Sequence, residues 1–299
     1  MEKVLLLVLP SLVLGQSLRL QDEQPVVTAA MVDYINEQGS WTASLDQVRD
    51  LTIGGARKRL AVSARGTELP TKSVKGLERF LDVPSAFNAS EQWPDCIHPV
   101  RDQGNCSAGW ALAAASAFSD RICISSNGAV VEELSPQYMI SCSTVNFGCV
   151  SGFLDVAWVF MSKFGIPLES CEPYTSGATG HSGSCGTDCT TFYHPHNLVW
   201  LTSPLSIQAS LLASGPVQTT FEVFQDFFSY TGGVYRHTTG AFVANHSVKI
   251  TGWGSLNGTN YWIAANSWGP NWGLGGFFFI AFGECQFDRS AIAGDFQAT

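Results

Sequence analysis

A thiol that hydrolyses a peptide bond needs four parts. The first is a thiolate, often held at a helix N-terminus where the dipole lowers its pKa. The second is a histidine that pairs with it and protonates the leaving amine, and the third is a group that orients the imidazole. The fourth is a set of donors for the oxyanion. Three of these are visible in the sequence. Gln103 lies in the glycine-containing loop DQGNCSAGW at 102–110 and can offer a side-chain amide N–H. The run Asn245-His246-Ser247-Val248 puts a histidine at the start of a strand-like stretch. Asn266-Ser267-Trp268-Gly269 puts an asparagine after the next such stretch, beside a tryptophan placed to shield its bond to the histidine. The thiol belongs at position 109, where the chain has glycine.

The elements that must carry these residues follow from periodicity. WALAAASAFSDRICI, from Trp110, is rich in helix formers and places Ala114, Phe118 and Ile122 on one face, with no glycine or proline until Gly128. It predicts a buried central helix beginning at or just before Gly109. LDVAWVFMSKF, 154–164, predicts a second helix ending before Gly165. Beyond Cys189 the pattern changes to short β-branched or aromatic runs at 197–201, 217–224, 248–253, 261–265 and 276–282. Asn257-Gly258 between two of them signals a hairpin. A helical half thus precedes a β-rich half, an α+β arrangement, and the cleft between such lobes is the natural place for a site.

Composition bounds the rest. The 299 residues suit one large domain or two modest ones, and 45% hydrophobic against 14% charged residues supports a sizeable core. The net charge of -9 argues against nucleic acid as the main partner. Residues 1–16 set Lys3 before an apolar run, Val4 to Leu14, that is too short to span a membrane. They read as a secretory signal, with a buried N-terminal helix as the other reading. No later stretch is long and apolar enough for a span. Residues 17–81 contain no cysteine and include a helix signal at Thr28–Asn36, Lys72 and Lys75, and the junction Phe80-Leu81-Asp82-Val83-Pro84. They resemble a removable leader, the alternative being an ordinary N-terminal subdomain. Nine cysteines fit an oxidising compartment, with an even set paired and the odd one either left over or a catalytic thiol. No CxxC is present and only Cys185 and Cys189 lie close together, so zinc is a weak alternative; no metal or cofactor is expected.

Several pieces, in order, give the chain a resemblance to the papain-like cysteine peptidases, and within them to the cathepsin B group. They include DQGNC…W at 102–110, SDRICI at 119–124, ELSPQ at 133–137, GC.SG at 148–152 and CEPYT at 171–175. GPV at 215–217, FSYTGGVYRH at 228–237, H.VKITGWG at 246–254 and NSWG..WG at 266–273 complete the set. The resemblance covers residues 82–299 and implies a two-lobe fold, a helical left lobe and an antiparallel β-barrel-like right lobe. The leader, with SWTA at 40–43, resembles a cathepsin B-type prosegment. Carried over, the resemblance makes His246 the catalytic imidazole, Asn266 its orienter and Gln103 the oxyanion-hole amide. Trp268 would cover the His–Asn pair and Gly152 would be the backbone rail for an extended substrate. Ser290 falls where cathepsin B has an acid flooring its second specificity pocket, which implies an apolar or unselective pocket here. The implied disulfides are Cys96–Cys123, Cys106–Cys149, Cys142–Cys185 and Cys171–Cys189, leaving Cys285 free. The insert TSGATGHSGS before Cys185 is short and lacks the paired histidines of an occluding loop, so trimming of C-terminal dipeptides is not implied.

The family pattern CGSCW stands here as CSAGW. Gly109 is the nucleophile position, Ser107 replaces a glycine whose backbone contacts substrate, and Ala108 replaces a serine. Losing the nucleophile costs on the order of 10⁶ in turnover in a serine peptidase. Ser107 stands two residues early and on a helix start would point elsewhere, while Gly109 would widen the cleft without blocking it. The expectation is a secreted or lysosome/vacuole-like pseudopeptidase, monomeric, whose cleft binds peptides or proteins, its own leader, or cystatin-type inhibitors. Two other readings stand: a working thiol endopeptidase whose residue 109 is misreported, and a disulfide-stapled structural or interaction domain. Asn88, Asn105, Asn245 and Asn257 lie in N-x-S/T sequons. Asn257 and Asn88 are the expected glycosylation sites, and Asn105 and Asn245, flanking a disulfide or the cleft, are not. His181, His194, His196 and His237 read as ordinary loop or strand histidines, and His98 carries no signal.

Overall fold

A computed structural model describes residues 20–60, 62–63, 69–72, 82–186 and 188–297. The expected signal at 1–16 lies outside these residues, as do Lys75, Phe80 and Leu81.

The central helix runs Gly109–Ser125 and is buried along almost its whole length, from Gly109 through Cys123 apart from Ser116. Ala108, its N-cap, makes no side-chain cap, so the helix start is held by packing. Trp110 anchors it by donating its indole N–H to the Gly148 carbonyl at 3.1 Å. Leu154–Phe164 packs beside it and ends at Gly165. Phe118, Met139, Trp158, Met161 and Ile292 share one apolar core with this helix pair. Two further helices, Pro136–Cys142 and Pro204–Ser214, begin on the same device: Ser135 and Ser203 cap the first turn and a proline follows at its start.

The second core belongs to a long sheet. Among the described residues its hydrogen-bonded order is Trp41–Ala43, Tyr230–Tyr235, Phe277–Ala281, Thr259–Ala265, Phe242–Leu256, Val217–Phe224, Ala291–Asp295, His196–Leu201 and Thr71–Lys72, with Phe87–Asn88 also pairing Phe242–Leu256. Asn257 and Gly258, both at positive φ, turn the chain between two of these strands. Phe221, Phe227, Tyr230, Trp262, Trp272 and Phe278 lie in the core of this lobe. No helix of the described residues is long and apolar enough to cross a membrane.

The lobes are stitched by buried polar groups. Arg121 of the central helix donates to the carbonyls of Pro216 (2.7 Å) and Gly215 (3.1 Å). Gln218 bridges the Trp110 carbonyl and the Ser247 hydroxyl at 2.9 and 2.8 Å. Four disulfides join Cys96–Cys123, Cys106–Cys149, Cys142–Cys185 and Cys171–Cys189, while Cys285 is buried and unbonded.

The described part of the expected leader is built into this frame. Thr28 caps the helix Ala29–Gln38 by accepting from the Met31 N–H. Val26, Ile35, Trp41, Val48, Ile53 and Leu60 are all buried in the core of the β-rich lobe. Trp41 sends its indole N–H to the Arg236 carbonyl at 2.9 Å and packs its ring on Tyr235. The two outermost strands of the long sheet, Trp41–Ala43 and Thr71–Lys72, both come from the leader. A third leader strand, Val62–Ser63, pairs in parallel with Gly152–Phe153 on the helical lobe.

Candidate active site

His246 sits in the strand Phe242–Leu256 and Asn266 follows directly on Thr259–Ala265, the next strand of the hairpin. The hairpin register brings the two side chains together, with Nε2 of His246 2.8 Å from Oδ1 of Asn266. That oxygen also accepts the Ser267 N–H at 2.8 Å, so it is the amide's acceptor end. An amide oxygen cannot donate, so Nε2 carries the proton and Nδ1 presents its lone pair. Trp268 stacks on the imidazole with centroids 5.0 Å apart, and Phe228 stacks on Trp268 at 4.8 Å.

Nδ1 of His246 is buried and has no hydrogen-bond partner among the described residues. It faces Gly109. A Cβ placed on Gly109 would lie 3.2 Å from Nδ1 and 2.9 Å from Cε1. Position 109 is therefore the place from which a side chain would meet the imidazole, and it carries none. The expected widening of the cleft is not what the structure has, because the ring closes over the glycine and His246 is fully buried. Burial pulls the imidazole down to about 4, with the bond to Asn266 acting the other way. Near neutral pH it is an uncharged ring, and among the described residues no anion lies beside it to hold a proton on it.

Gln103 is buried at the loop before the central helix. Its backbone N–H donates to the Ser267 carbonyl at 2.8 Å and its Oε1 accepts from the Ser267 hydroxyl at 2.8 Å. These two bonds aim Nε2 into the cleft, where it donates to the Arg59 carbonyl of the leader at 2.8 Å and to the Cys106 carbonyl at 3.0 Å. The Ser107 hydroxyl donates to the Lys58 carbonyl of the leader. It does not reach His246. Gly152 lies over the Trp110 ring, and a Cβ there would fall 2.5 Å from it. That contact leaves room for glycine alone and keeps the Gly152 backbone at the surface of the cleft, where Val62 pairs with it. Ser290 is half-buried immediately before the strand Ala291–Asp295. A cavity of about 640 Å³ lies between leader and body, lined by Lys58, Arg59, Gln103, Trp268, Asn271 and Trp272 among others.

Sequence reading missed one polar cluster. Asp120 on the central helix binds Lys249 Nζ at 2.6 Å, and its other oxygen binds His98 Nδ1 at 2.7 Å. Lys249 also donates to the Ser116 hydroxyl at 2.7 Å. Burial disfavours the charged His98 ring, but the Asp120 bond and charge outweigh it and raise the imidazole above its ordinary value. Asp120-Arg121 inside an otherwise apolar helix was the available signal, since charges buried in a helix need partners. His237 likewise faces the buried Asp226, at 3.2 Å. Among the described residues no group of three or more histidine, cysteine or acidic side chains is placed to hold a metal.

Residues 83–294 match the family model described as papain family cysteine protease. Among curated proteins the chain is 34% identical to "Cathepsin B-like cysteine proteinase 4" of Caenorhabditis elegans, over 90% of this chain and 92% of that protein. It is 39% identical to "Cathepsin B-like CP2" of Giardia intestinalis over 72% of this chain and 75% of that one. Among solved structures it superposes on proCathepsin B S9 from Trypanosoma congolense with a TM-score of 0.85 at 31% identity, covering 92% of this chain and all of the other. The procathepsin L2 of Tenebrio molitor gives a TM-score of 0.75 at 25% identity, over 94% of this chain and 90% of that one.

Proposed function

The chain belongs to the papain family of cysteine proteases, and from that premise we propose that it is a cathepsin B-like pseudopeptidase whose cleft binds peptide backbone without cutting it. One observation carries this reading: the position facing Nδ1 of His246 is Gly109. Without a thiol there is no nucleophile for the carbonyl carbon and no thiolate to hold the imidazole charged. The binding parts are independent of that loss. Gln103 still offers an amide donor to a carbonyl, the Gly152 backbone still offers a strand edge, and Trp268 still shields the His246–Asn266 bond. Ser107 is not read as a stand-in nucleophile: it lies two residues before the nucleophile position, and Nδ1 of His246 takes no hydrogen bond from it. Ser290 in place of an acid removes the charge that would select basic side chains. Ligands are then chosen by backbone and apolar contacts: the chain's own leader, peptide segments of other proteins, or cystatin-type inhibitors. Four disulfides suit the secretory pathway or a lysosome-like vesicle.

The test is an assay of leader-free protein beside its Gly109→Cys variant, alone and with Ser107→Gly and Ala108→Ser. The wild type should bind peptides and leave them intact. The cysteine variants should regain measurable hydrolysis, limited by how far the imidazole must withdraw to admit a Cβ. Turnover by the wild type that His246→Ala abolishes would overturn the reading.

A further inference from the structure

The leader helix Ile53–Lys58 ends against the loop before the central helix. The last carbonyls of a helix have no partner within it and must find donors elsewhere. Two successive carbonyls at this end find them in the cleft. Arg59 O accepts from Gln103 Nε2 at 2.8 Å, and Lys58 O accepts from the Ser107 hydroxyl. Both donors are buried. Both are also fixed by the body: Gln103 by Ser267, and Ser107 by its own N–H, which donates to the Cys149 carbonyl at 3.0 Å. Where the resemblance sets a glycine, which has no donor of this kind, the chain has a hydroxyl that reaches the leader.

We propose that Ser107 is a ligand-binding residue that makes the cleft a two-donor clamp for a helix C-terminus, and that the ligand it is fitted to is the chain's own leader. The clamp keeps the leader bound after its covalent link to the body has been cut. This rests on the reading that the cleft binds without cutting, since the leader's backbone then lies intact across Gln103 and Ser107. Burial of Ile53 and Leu60 on either side of the clamp, and the pairing of Val62 with Gly152, set the register in which the two carbonyls meet their donors.

The experiment uses the full chain with a site-specific protease sequence placed between residues 73 and 81. After cleavage, release of the labelled leader fragment is followed on dilution, in enough urea to bring the wild-type rate into range. A buried neutral hydrogen bond contributes about 1 kcal/mol net, so Ser107→Ala and Ser107→Gly should each release the leader about five- to tenfold faster. The unfolding midpoint of the freed body should match the wild type's. Release within about twofold of the wild type in both variants would overturn the proposal. So would a freed body destabilised in step with the release rate, since Ser107 would then act on the fold and not on the ligand. Assaying the same freed wild-type body for peptide hydrolysis separates the two readings. Hydrolysis would defeat the non-cutting assignment and leave the Ser107 effect standing, and the converse holds equally.

Discussion

Acidification should destabilise this protein through one residue, His246. The ring is fully buried, its Nε2–H is committed to Asn266 and its Nδ1 has no partner among the described residues. An imidazole held at about 4 against an ordinary 6.5 disfavours its charged form by about 3 kcal/mol. The sign follows from linkage. The folded value lies below the unfolded one, so the unfolded chain takes up the proton first and stability falls as pH drops from about 6.5 toward about 4, then levels off. Between about pH 7.5 and pH 4.5 that residue alone should remove about 2–3 kcal/mol. Urea unfolding with disulfides intact, at both pH values, for wild type and His246→Gln, isolates the effect, because every other titrating group is common to both. The wild type should lose about 2–3 kcal/mol more than the variant across the interval. Equal losses would refute the reasoning, and would mean that Nδ1 finds an acceptor or water on protonation.

His98 should act with the opposite sign. Burial lowers it but Asp120 raises it further, so its contribution is complete below about pH 6.5 and fades as pH climbs through the folded value. His98→Gln should flatten the loss of stability seen above neutrality. Asp120→Ala leaves Lys249 buried and uncompensated and should cost about 3–5 kcal/mol, read as a fall in the urea midpoint. Trp41→Ala opens a cavity between leader and body and should cost about 3–5 kcal/mol, with limited proteolysis showing the leader cut first. Asn257 is exposed on its hairpin turn, whereas Asn88 spends its side chain capping a helix and binding Glu91. Expression in a glycosylating host should therefore give a mass shift that Asn257→Gln removes and Asn88→Gln leaves largely unchanged.

The site was legible where short segments carry it. Gln103, His246 and Asn266 were within reach because short motifs carry them: Gln103 in the loop before Gly109–Ser125, His246 within Phe242–Leu256 and Asn266 directly after Thr259–Ala265. The strands Tyr230–Tyr235 and Ala291–Asp295 were not anticipated, since glycines interrupt their alternation and their pairing comes from the sheet around them. Pro136–Cys142 and Pro204–Ser214 were within reach, because Ser-Pro starts both. The closing of the imidazole over Gly109 was not readable at all. It depends on what a missing Cβ lets a neighbour do, and that neighbour is 137 positions away by the sequence numbering. The direction of Ser107 is similar, set by a leader carbonyl arriving from a distant part of the chain.

Both margins of the long sheet are covered by the leader, Trp41–Ala43 against Tyr230–Tyr235 on one side and Thr71–Lys72 against His196–Leu201 on the other. Stripping the leader would bare two rows of unpaired backbone N–H and C=O groups at once, each an open template for another chain. Solubility of the freed body is then a matter of concentration. Its first failure on storage should be self-association through the margin at Tyr230–Tyr235, where Tyr230 and Tyr235 would also lose the aromatic cover of Trp41.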